Sequence, residues 1–151
     1  MPATYNISTF RSVRRAHGVG LLAKCYTACV YLELCLKSSQ QLIHHAGPSG
    51  HNLPQMLRQL PSVQGPRSKL LAAISLASQL ENQLNKLYCA DKKQQPAKVD
   101  GRNYPNMRYL RHESDWGGAP DTSSDGDLKK LLSLLDQIIV TLRPPNTNLP
   151  L

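Results

Sequence analysis

"LLAKCYTACVYLELCLK", residues 21–37, is the stretch whose reading decides the fold class. Leu21, Leu22, Cys25, Cys29, Leu32 and Leu36 recur at spacings of three and four. That is the period of an α-helix and not the alternation of a strand. From Leu21 to Leu36 the pattern is apolar nearly all round, so the helix is predicted to be enclosed on several sides. Lys24, Glu33 and Lys37 break the run, which is too short and too charged to span a bilayer. Glu33 and Lys37 stand at i,i+4 in the favourable order for an ion pair. Tyr31 reads as an outward position, where a charge would disturb assembly rather than the helix.

Outward from this stretch, the helix is predicted to begin near Ser8 or Ser12 and to run to about His45, with Gly18 and Gly20 as points of bending. "HHAGPSGHN" ends it. In "HNLPQMLRQLP" Pro54 suits a first helical turn, and Met56, Leu57 and Leu60 form one stripe. A third helix is predicted from about Pro66 to Leu87. Its apolar side is Leu70, Leu71, Ile74, Ala77, Leu80, Leu84 and Leu87, and its polar side includes Gln83. A last helix follows Ser123 or Ser124 as cap, with Asp125 and Asp127 favouring its N-terminal dipole. Leu128, Leu131, Leu132, Leu135, Ile138, Ile139 and Leu142 give its stripe, and Pro144 and Pro145 end it. Between Cys89 and Ser124 the helical period disappears, and no strand is expected anywhere.

The organisation is therefore one all-α domain over residues 1–151: a bundle of four to five helices at about 8–143, a polar connection at 90–124 and a tail at 144–151. A chain of 151 residues, 40% apolar and 5% aromatic, can bury an aliphatic core without disulfides or metal. Cys25, Cys29, Cys35 and Cys89 show no C-x-x-C pair and no matching histidine spacing, which argues for buried thiols and against zinc. "MPATYNISTFRSVRR" lacks the apolar run and cleavage site of a secretory leader, so a cytoplasmic protein without membrane contact is expected.

The net charge of +8 is unevenly placed. Residues 92–112 carry six basic residues against Asp100, a net +5, and residues 113–127 carry five acidic residues and no basic one. "RNYPNMRYLRH", residues 102–112, concentrates the chemistry. Arg102, Arg108 and Arg111 can fork onto phosphates, and Tyr104 and Tyr109 can stack on bases. The other reading is that Tyr104, Met107 and Tyr109 dock the connection while the arginines pair with Glu113, Asp115 or a partner. His51 could be a base or a metal ligand, or it could cap a short helix or pack at a helix joint. The five histidines contain no H-E-x-x-H set, and no glycine loop has the setting needed to cradle phosphate. No cofactor is indicated.

"AKCYTACVYLELCLKSSQQLI" followed by "GHNLPQMLRQLP" resembles the front half of a HEPN domain. The first element is Glu33, Leu34, Cys35, Leu36 and Lys37; the second is Gly50, His51, Asn52 and Leu53. "YPNMRYL" is similar to the Tyr-Pro loop that many HEPN domains carry before the final helix. The resemblance covers residues 20–142 and implies an up-and-down helical bundle, commonly a homodimer, whose functional groove lies between protomers. It implies either a metal-independent ribonuclease of a toxin–antitoxin or phage-defence system, or a non-catalytic module. Such a module would bind RNA, nucleotide or a partner such as a nucleotidyltransferase. The family's ribonucleases place an arginine, four to six residues and then a histidine at the start of the last helix. Here Arg108 precedes His112 by only three intervening residues, and Arg102 by nine; Arg11 and His17 have the spacing but lie at the other end. The expectation is therefore a binding module using Arg102, Tyr104, Arg108, Tyr109 and Arg111, with Arg108 and His112 as the catalytic pair of the ribonuclease alternative.

Overall fold

In the computed structural model, the 21–37 stretch lies within helix α1, Leu21–His44. The structure describes residues 12, 20–44, 50–60, 67–90, 96–99, 103–109 and 125–142. The predicted start of the first helix at Ser8, the caps Ser123 and Ser124, and the tail lie outside them. Three more helices follow: α2 (Leu53–Gln59), α3 (Arg67–Leu84) and α4 (Asp125–Leu142). The described chain is thus mostly helical. None of its helices is long and apolar enough to cross a membrane.

One face of α1 buries Cys25, Ala28, Cys29, Leu32 and Leu36. It packs against α4, which buries Leu128, Leu131, Leu132, Leu135, Ile138 and Ile139. Each fully buried leucine stabilises the fold by roughly 1.5–3 kcal/mol relative to exposure. The sulfur of Cys25 donates to the Leu128 carbonyl at 3.2 Å, at the start of α4. Burial pushes the Cys29 thiol well above its usual range, with Cys25 and Glu33 adding to the rise. These thiols are small apolar core groups, not reactive ones. Tyr31 is also buried, at 8% exposure, so its assignment as an outward position is corrected.

Two further expectations are corrected. The first concerns α3, whose buried face is Ala73, Leu76, Ala77, Leu80, Gln83 and Leu84. Leu71 and Ile74 lie outside it, 59% and 41% exposed. The helix packs on α2 and α4 together, so its inward face centres between them, rotated from the stripe that the leucines alone outline. Gln83 can be buried because its Nε2 donates to the Asp127 carbonyl at 3.0 Å.

The second concerns strands. Tyr88–Ala90 (β1) and Pro96–Lys98 (β2) pair antiparallel, Tyr88 opposite Lys98 and Ala90 opposite Pro96. Three residues are too few for an alternating pattern to register in a sequence, and the pairing depends on what lies below it. The Val99 amide bonds the Leu87 carbonyl at 2.6 Å, and both side chains are fully buried. The base of the hairpin is therefore pinned by the core. Part of the polar connection is thereby structured, and a 3₁₀ turn at Tyr104–Tyr109 follows, packed against α1 and β1.

Candidate functional site

The elements meet at a polar joint between α1, the start of α2 and the 3₁₀ turn. It begins with four consecutive residues, each doing a different task. Gly50 takes φ +84°, a left-handed conformation that a side chain would strain. This turns the chain so that His51 faces α1. Asn52 caps α2: its Oδ1 accepts from the Gln55 amide at 3.0 Å, and its carbonyl accepts from Met56 at the same distance. Leu53 is fully buried and anchors the helix in the core. The turn, the cap and the anchor each restrict the residue type at their position.

His51 reaches Glu33, whose side chain is 8% exposed. The His51 Nδ1–H donates to Oε1 at 3.0 Å and to Oε2 at 2.9 Å. Lys37 Nζ, one turn further along α1, donates to Oε1 at 2.7 Å. The phenol of Tyr104 donates to the same carboxylate. Burial by itself would raise the Glu33 carboxyl, but hydrogen bonds from Lys37, Tyr104 and His51 outweigh it and hold the group below its ordinary 4.5. Glu33 is thus an ionised carboxylate supplied with donors from three elements. Tyr104 is pushed well above the usual phenol range, by burial first and by its bond to Glu33 second. It stays a neutral donor.

The rings close the joint. Tyr104 lies 5.8 Å from His51, edge to face at 84°, and 5.8 Å from Tyr26 at a tilt of 57°. Both geometries are favourable for aromatic pairs. Tyr104 and Met107, i and i+3 in the turn, are both buried, since a 3₁₀ helix brings such positions to one side. The first stretch of "YPNMRY" is therefore docked on α1.

The joint brings together Glu33, Lys37, His51 and Tyr104 directly, with Gly50, Asn52 and Leu53 shaping the approach. Arg108 and Tyr109 belong to the backbone of the same 3₁₀ turn. Arg102, Arg111 and His112 lie outside the described residues. Tyr26 is a member the sequence reading missed. Its position seven residues before Glu33, on the same helical stripe, was the available signal. Among the described residues no group of three or more His, Cys, Asp or Glu could hold a metal ion.

Chemically, the joint is not an anion hole by itself, because Lys37 is neutralised by Glu33. Its exposed component is the His51 ring, 48% accessible. It holds the 3₁₀ turn Tyr104–Tyr109 against α1, with the His51 imidazole at its edge. No family model, curated protein or solved structure matches the chain.

Proposed function

We propose that this chain is a non-catalytic helical module of the HEPN type that binds RNA through the basic segment Arg102–Arg111, working as a homodimer. The observation that carries the reading is the docking of Tyr104 and Met107 against α1, beside the Glu33–Lys37–His51 joint. A segment with three arginines over ten residues is thereby tied to the core at its centre. Arginines near a fixed point lose less freedom on meeting phosphate than those of a free loop. The positions that carry the family resemblance in the first half of the chain also converge on that joint, which supports the HEPN reading.

The test is salt-dependent binding of the full chain to a single-stranded oligoribonucleotide. Each phosphate contact contributes about 0.7 to the slope of log K against log salt for single strands. The triple variant Arg102→Ala, Arg108→Ala, Arg111→Ala should therefore bind weakly and lower the slope by about 2. Salt-insensitive binding, or an unchanged slope in the variant, refutes the assignment. Incubation with RNA in EDTA is expected to leave it intact; cleavage abolished by His112→Ala would restore Arg108 and His112 as a catalytic pair. Light scattering should give the mass of a dimer at micromolar concentration.

A further inference from the structure

We propose that the polar groove between α3 and α4 is a docking site for an extended acidic peptide segment of a partner protein. The inference goes beyond the RNA-binding reading and does not rest on it. The groove has a volume of about 360 Å³, within the roughly 300–1,000 Å³ usual for ligand pockets. Gln79, Asn82 and Gln83 line it from α3, and Lys130, Ser133 and Gln137 from α4. Counted from the first residue of each set, the spacings are three, four or seven, so each helix turns one polar stripe into the groove. Leu134 is the one apolar side chain in the lining.

Gln83 supplies a fixed polar atom. The residue is 7% exposed, and its amide reaches the Asp127 carbonyl at 3.0 Å. A backbone carbonyl only accepts, so the amide nitrogen must be the atom that faces it. The Oε1 of the same amide makes no hydrogen bond among the described residues, which leaves a positioned acceptor on a residue of the lining. A peptide N–H is the matching donor. Asn82, Gln79 and Gln137 offer both donors and acceptors, which complements the N–H and C=O groups that alternate along an extended chain. Charge decides the rest. Lys130 is exposed, is the only charged side chain in the lining, and has no ion pair among the described residues. A carboxylate on the peptide complements it. Nucleic acid fits less well, because one cation cannot track a phosphate backbone and no aromatic ring lines the groove for stacking.

The experiment titrates the full chain with a blocked peptide that alternates alanine and aspartate, and with the same peptide carrying asparagine in place of aspartate. Binding is followed through the side-chain amide resonances of Gln79, Asn82, Gln83 and Gln137 in the wild-type protein. The acidic peptide should shift them and bind about 1.5- to fivefold tighter than its neutral counterpart, the range of an exposed ion pair. Lys130→Gln, a change at an exposed position, should abolish that preference. Gln83→Met keeps the length of the side chain and removes the acceptor, so both peptides should bind about fivefold more weakly. Resonances unmoved by the acidic peptide at millimolar concentration, or a preference that survives in Lys130→Gln, overturn the proposal. An oligoribonucleotide that shifts the same resonances where the peptide does not would also overturn it, giving the groove to nucleic acid. The Arg102–Arg111 assignment is decided separately, by its salt slope.

Discussion

Replacing Glu33 with glutamine tests the joint where it is most constrained. The substitution keeps the shape of the side chain but removes the charge and turns one acceptor atom into a donor. Three donors then compete for one carbonyl oxygen. Lys37 and His51 are 28% and 48% exposed and can turn to water at little cost. Tyr104 is 4% exposed and cannot. The loss is therefore concentrated in one buried phenol deprived of a charged acceptor, for which about 1.5–3 kcal/mol is typical. For a chain of this size that corresponds to a fall of about 3–12 °C in melting temperature. The coupling is measurable by urea denaturation of Glu33→Gln, Tyr104→Phe and the double variant. Tyr104→Phe removes the donor, so the two changes should be less than additive by about 1 kcal/mol or more. Simple additivity, or a Glu33→Gln variant within about 0.5 kcal/mol of wild type, would refute the view that this carboxylate ties the 3₁₀ turn to α1. The sign of the pH dependence follows from the carboxyl being held below 4.5 in the folded state. Its contribution is full above the ordinary carboxylate range and is lost as pH falls through the lower, folded value. The gap between wild type and Glu33→Gln should therefore narrow in acid.

Two other substitutions follow from the geometry. Gly50→Ala meets no atom within 4 Å, so its cost is backbone strain alone, about 1–2 kcal/mol by thermal or urea unfolding; an unchanged midpoint would mean the turn is not held left-handed. Tyr31→Glu buries a charge without a designed partner, and it should lower helicity and melting temperature together by circular dichroism; a folded variant altered only in oligomeric state would restore Tyr31 as a surface residue.

The legible part of the fold was the part written in local periodicity. The stripes of α1 and α4 could be read because their inward residues repeat every three or four positions, and the buried sets match those repeats. "GHNL" stood out only through its resemblance to a family element, and the folded chain supplied the physical reason for its order: a left-handed turn, a cap and a core anchor. The role of His51 was not readable in the same way. Joint packing, base and ligand all remained open until Glu33 was found 2.9 Å away.

The sequence by itself determined that the described chain is mostly helical, where its second, third and last helices run to within a few residues, and that its basic residues cluster around "YPNMRY". Those properties depend on neighbours within a few positions. The tertiary structure decided which face of α3 is inward, that a short hairpin forms over Leu87 and Val99, and that Tyr104 and His51 share one carboxylate on α1. Each of these is settled by partners distant in the chain, and burial gives no local signal of which partner will arrive. Glu33 illustrates the difference: the sequence pairs it with Lys37 one turn away, and only the folded chain adds the two donors that fasten the basic turn to the core.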